Sequence, residues 1–185
     1  MRRALVLVLL LAVPAVLRAT VLLPIEFRQL VGLSSTIVHG HVADVRSAWI
    51  DGRRSIETFV TVEADEYFKG RLGDSFTIRV PGGSLGRYRT IFVGAPEFRQ
   101  GDEVVLFLRS DAGRVSIVGL SQGAFRVMPD RSGRRVVTSP VLMGLSSGDA
   151  QAVVRGDVTR RPLAVDAFRD LVKRIVVDGA AGGAQ

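Results

Sequence analysis

The sequence predicts a mainly β protein, a small antiparallel barrel with a C-terminal α-helix, lying behind an N-terminal signal peptide. Three observations carry this expectation. Between Thr36 and Thr138 apolar residues recur with period two in segments of strand length. Turns bearing Gly, Asp or Pro separate those segments at spacings of roughly 8–15 residues. No stretch of helical period intervenes between them, so a parallel sheet with crossover helices is excluded.

The chain opens with Met1-Arg2-Arg3, a positive start, and continues with an apolar run from Ala4 to Leu17 broken only by Pro14. A membrane-spanning helix needs about 20 such residues, so this run is short for an anchor and fits a signal-peptide core. Ala15 and Ala19 offer cleavage points, which makes residues 1–19 the predicted leader; the alternative is retention as an anchor. From Pro24 to Leu33, Phe27, Leu30 and Val31 share one face of a short helix.

Val38, Gly40 and Val42 then alternate with His39 and His41, and Val45 to Ile50 continues as an extended run. Asp51-Gly52 is a hairpin signal, and Ile56 to Phe68 is the returning strand. After a turn at Lys69 to Asp74, Phe76, Ile78 and Val80 mark a third half-buried strand. Pro81 to Gly86 is a Gly-rich loop, and Thr90 to Val93 a short strand ended by Ala95-Pro96-Glu97. Following the turn Gln100-Gly101-Asp102, Glu103 to Leu108 is a nearly continuous apolar run, turned back at Asp111-Ala112-Gly113. Val115 to Val118 and Ala124 to Met128 form one last long ribbon, with bends or bulges at Gly119 and Gly123. Arg135 to Thr138 adds a small hairpin after Ser132-Gly133. Five main strands with glycines at the bends suit a small Greek-key barrel of the OB type over residues 20–138. Residues 139–161 read as a connector. Residues 162–177 read as the C-terminal helix, capped by Thr159, with Ala164, Phe168, Leu171, Val172 and Ile175 as its apolar stripe and an Asp170–Arg174 pair on its polar side. Residues 178–185 read as a flexible tail.

Composition bounds the function. The chain has 185 residues, 47% hydrophobic and 23% charged, enough for one domain with a real core and incompatible with disorder or a multi-span membrane protein. It has no Cys, which excludes disulfides, a thiol nucleophile and Cys-ligated zinc. The formal charge is +7, but Arg2, Arg3 and Arg18 lie in the leader, leaving 22 basic against 18 acidic residues. That modest excess, with 6% aromatic residues and an exported context, argues against nucleic acid as a partner.

Two segments match G-x-S-x-G, Gly82 to Gly86 around Ser84 and Gly119 to Gly123 around Ser121. A nucleophile elbow needs a strand before it and a helix after it, whereas both segments run into extended chain. A serine hydrolase using Ser121 or Ser84 with His41 is therefore the alternative reading and not the first. His39-Gly40-His41 puts two imidazoles on one face of a strand, where both could meet one metal ion, with Glu57, Glu63 and Asp65 as candidate third ligands. Two polar residues on a wet face, opposite Val38 and Val42, is the plainer account, and no cofactor is implied.

The stretch Leu30 to Val42, the segments Thr61-Val62-Glu63 to Lys69-Gly70, Pro81-Gly82-Gly83, Gly101 to Leu108 and Gln122 to Val127 together resemble a group of uncharacterised secreted bacterial proteins over roughly residues 20–128. Their pattern is similar in layout to the OB-like barrel of netrin modules and tissue inhibitors of metalloproteinases. The resemblance implies a fold and a secreted context. The zinc-chelating N-terminal Cys of those inhibitors has no counterpart here. The expectation is an exported module, periplasmic or secreted, acting by binding a protein partner, a protease among the candidates, and not by catalysis.

Overall fold

A computed structural model describes residues 24–139 and 162–182, with side chains as far as Gly179. The predicted leader (1–19), nearly all of the predicted connector and the last three residues of the predicted tail fall outside the described residues. The elements run α1 (Phe27–Leu33), β1 (Thr36–Ile50), β2 (Ser55–Lys69), β3 (Ser75–Pro81), β4 (Gly83–Leu85), β5 (Tyr88–Thr90), β6 (Glu103–Asp111), β7 (Arg114–Ile117), a 3₁₀ turn (Leu120–Gly123), β8 (Ala124–Pro129), β9 (Arg135–Thr138), β10 (Leu163–Ala164) and α2 (Val165–Gly182).

All strand pairing is antiparallel. The main sheet has the order β10-β9-β8-β6-β1-β2-β3, with β7 joined to β6, and β4 pairs separately with β5. The barrel expected from the sequence is not closed: β3 comes alongside β7, yet no ladder joins them. The two elements lack the in-register run of N–H and C=O groups that closure requires.

The period-two pattern builds two cores. Val38, Val42, Val60, Val62, Ile78, Val80, Val104, Leu106 and Leu108 fill the concave side of the sheet. Ile37, Val105, Phe107, Phe125 and Val137 point to the convex side, where Phe27, Leu30 and Val31 of α1 and Phe168 and Val172 of α2 cover them. The continuous apolar run Val104 to Leu108 is thus buried on both faces, which is why it does not alternate with polar residues. Phe27, Phe107, Phe125 and Phe168 meet as one aromatic cluster, with Phe27 and Phe168 5.5 Å apart at their ring centroids in an edge-to-face pair.

The β1–β2 hairpin turns through Asp51, Gly52 and Arg53, all at positive φ. It carries bulges where Ala43, Asp65 and Phe68 have no partner opposite. The ribbon β7–β8 follows one edge of β6, as the sequence indicates. Its 3₁₀ turn loops out because Leu108 faces Ile117 while Leu106 faces Ala124. A side chain at Gly123 would run into the Val118 carbonyl, so the loop-out needs a glycine there.

Several local expectations are corrected. The Pro81 to Gly86 loop contains β4, and the expected strand at Thr90 to Val93 lies instead at Tyr88–Thr90. Gly83 pairs with Thr90, and at Gly82 the chain departs toward β3, so nothing remains for residues 91–93 to pair with. The C-terminal helix starts at Val165, not Pro162, because Leu163 and Ala164 pair with β9. It continues to Gly182 through the helix-favouring Ala180 and Ala181, into the stretch expected to be a tail. Asp170 faces Arg169 at 3.3 Å rather than Arg174. Among the described residues no helix is long and apolar enough to cross a membrane.

Candidate functional site

Two neighbouring features stand out, a polar cluster on β1 and a cleft beside it, and Glu103 belongs to both. In the cluster, His39 and His41 do face away from Val38 and Val42, as the alternation requires. That face is not uniformly wet. His39 is buried, its ring stacked on Phe68 with centroids 6.4 Å apart, whereas His41 is half exposed. The bulge in β2 explains the next partner: His39 pairs with Glu66 and Gly40 with Ala64, so Asp65 is the extra residue. Its Oδ2 lies 2.8 Å from His41 Nδ1 and 4.0 Å from His39 Nδ1. Any side chain at Gly40 would collide with the Glu63 carbonyl, so the close approach of the two backbones at this bulge depends on glycine.

Glu103 sits directly across the β1–β6 ladder from His41. Its Oε1 is 2.6 Å from His39 Nε2, and its Oε2 is 3.9 Å from His41 Nε2. Arg135 reaches over from β9 and donates to the same Oε1, with its Nη2 3.2 Å from His39 Nε2. Burial pushes the Glu103 carboxyl up, but hydrogen bonds from His39 and Arg135 and the Arg135 charge outweigh it and hold the group below its ordinary value.

Of the three third-ligand candidates, only Asp65 bonds a histidine, although Glu63 lies opposite His41 in the β1–β2 register. Glu57 is engaged by Arg79, and Glu63 is exposed. Sequence reasoning missed Glu103 and Arg135, because their approach depends on β1–β6 and β8–β9 pairing between residues far apart in the chain. Among the described residues no group of three His, Asp or Glu side chains is disposed around a common cation position. The Arg135 guanidinium already supplies the positive charge on Glu103.

The cleft, about 640 Å³, opens where the β4–β5 hairpin and the 91–99 loop stand away from β8. Ser47, Thr58, Val80, Gly82 and Gly83 line it on one side, and Arg126, Val127 and Met128 on the other. Thr58 Oγ1 donates to the Gly82 carbonyl at 2.8 Å, tying the start of the hairpin to β2. Trp49 packs edge-to-face on Tyr88, 5.3 Å between centroids, and so fixes the hairpin against the far end of β1. Arg126 bonds Asp102 at 2.5 Å and the Glu97 carbonyl, which anchors the loop to β8. A smaller recess of about 250 Å³ lies next to it, between Phe98, Ser121 and Phe125.

Ser84 lines the cleft and Ser121 the recess, but the partners of His41 are Asp65 and Glu103 and neither serine is bonded to an imidazole. Ser121 sits in a 3₁₀ turn that leads into a strand, so no helix N-terminus supports it. The Gln122 N–H, which would serve as an oxyanion donor, is spent on the Gly119 carbonyl at 3.1 Å. The geometry at hand is that of a cleft beside a polar cluster on an open antiparallel sheet. Compared with known proteins, the chain matches no family profile, no curated protein and no solved structure.

Proposed function

We propose that this protein is an exported, non-enzymatic binding module of OB-like Greek-key layout, periplasmic or secreted, whose cleft receives a protein partner. The cleft itself is the observation that carries the reading. It combines apolar walls from Val80, Phe98 and Met128 with hydrogen-bonding groups from Ser47, Thr58 and Ser84, and it contains no nucleophile paired with a base. Support for the layout comes from the chain path: a β1–β2–β3 meander, then β6 returning beside β1, then a ribbon folding back toward β3. Support for export comes from the basic start and apolar run that precede the described residues.

The test is capture of partners from a cell-envelope fraction by the wild-type chain and by Ser84→Trp, an exposed cleft residue whose enlargement blocks the cleft without touching either core. A protein retained by the wild type and lost with Ser84→Trp is the expected result. Capture indifferent to the substitution overturns the cleft as the binding site. Labelling by a fluorophosphonate probe that disappears in Ser121→Ala overturns the non-enzymatic reading.

A further inference from the structure

Beyond the cleft, the loop that forms its outer lip has a chemistry of its own. Ile91, Phe92 and Val93 are 74%, 51% and 68% exposed, three consecutive apolar side chains at a loop that belongs to no ladder. Single exposed apolar residues are ordinary on a protein surface, but three in succession on a projecting loop are not. Ala95 N–H donates to the Phe92 carbonyl at 3.1 Å and Ser121 N–H to the Gly94 carbonyl at 2.9 Å, so the base of the loop is held while its tip stands free.

Charge surrounds this tip asymmetrically. Arg87, Arg89 and Arg99 are exposed on the same segment, and the Trp49–Tyr88 contact sets the β1–β2 turn, with exposed Arg53 and Arg54, against the β4–β5 hairpin that leads into the loop. Of the carboxylates on these segments, Glu97 lies 3.8 Å from Arg89 and Asp102 is bonded to Arg126, while Asp51 is exposed in the β1–β2 turn. An apolar finger on an arginine-bearing segment, with Tyr88 and Trp49 on the hairpin that leads into it, combines the three features that hold a protein at a bilayer surface. These are apolar side chains for the acyl boundary, amphipathic rings for the headgroup level and cations for anionic lipid phosphates.

We propose that the Ile91–Val93 finger inserts into an anionic lipid surface, with the surrounding arginines on the lipid phosphates and the mouth of the cleft beside the bilayer. A protein-docking patch is the competing account. The net positive charge of this segment and the adjoining hairpin favours phosphate headgroups over a partner surface of mixed charge.

The experiment places a fluorophore in the finger, so that it reports on the loop and not on the apolar N-terminal run. The full chain carrying Trp49→Phe and Phe92→Trp is mixed with vesicles of phosphatidylglycerol or of phosphatidylcholine. Its emission is followed with and without brominated acyl chains. A blue shift and bromine quenching on phosphatidylglycerol, weakened by salt and lost when Arg89→Glu and Arg99→Glu are added, is the expected result. Unchanged emission on phosphatidylglycerol overturns the proposal. An equal shift on both lipids overturns its electrostatic part. A shift produced by lipid-free envelope protein, with none from vesicles, assigns the finger to a protein partner. Because Ser84 is left intact, failure here leaves the cleft reading standing, and capture indifferent to Ser84→Trp, which overturns the cleft, leaves this one standing.

Discussion

Glu103 shows how much a single side chain holds together. It accepts from His39 on β1 and from Arg135 on β9, and so ties the centre of the sheet to a strand near its edge. In Glu103→Gln the charge is gone while Arg135, half exposed, falls back on water, so the expected cost is about 1–2 kcal/mol in urea unfolding. The pH dependence follows from the lowered carboxyl. Its contribution is fully present above the ordinary value of 4.5 and is lost as pH falls through the lowered folded-state value. The stability gap between wild type and Glu103→Gln is therefore expected to narrow below about pH 4.5, and a gap that widens in acid contradicts this account. Asp130 behaves differently in kind. The Ser132 hydroxyl, ahead of the backbone N–H groups of Arg134 and Ser132, holds it at about 2, so the β8–β9 turn keeps its carboxylate in mild acid.

At the scale of elements, the C-terminal helix is the main cover of the convex face. Phe168 and Val172 are its fully buried residues, on the stripe the sequence displays. Phe168 touches Phe27, Phe107 and Phe125, joining both helices to the sheet. Phe168→Ala opens a cavity among these rings, and the expected loss is about 3–5 kcal/mol. It reads as a lower urea midpoint with an unchanged slope. A loss below about 1 kcal/mol places the helix outside the cooperative core. The polar side of α2 adds little by comparison. Arg169 meets Glu66, Asp166 and Asp170, and Lys173 meets Glu66, in pairs that water screens.

For the whole molecule, stability is expected to be graded from β6 outward. That strand is paired on both edges and covered on both faces, whereas β4–β5 is a two-stranded appendage and the 91–93 loop has no ladder. Hydrogen exchange tests this directly. Amides of Val105 to Phe107 are expected to exchange slowest and those of residues 88–93 among the fastest. Comparable protection in the two regions rules out the graded picture. The same gradient suits the two proposed activities, since the cleft wall and the finger are built on the elements that cost least to move.

Much of this architecture is readable along the chain. The dyad of Val38 and Val42, the Asp51-Gly52 turn, the apolar run at Val104 to Leu108 and the stripe of Phe168 and Val172 each state a local rule that folding obeys, because burial acts on neighbours a few residues apart. The looped ribbon with Gly119 and Gly123 was equally legible, since Gly119 turns at positive φ and Gly123 lies against the Val118 carbonyl, both of which favour glycine. What the three-dimensional arrangement alone decided is which face meets which. It buried His39 instead of wetting it, used a bulge to aim Asp65, brought Glu103 and Arg135 from 64 and 96 residues away, left the barrel open, and stranded Ile91 to Val93 in solvent. The physical reason is register. Which residues lie opposite one another across a ladder depends on pairings between distant segments, and period-two alternation is satisfied by many of them.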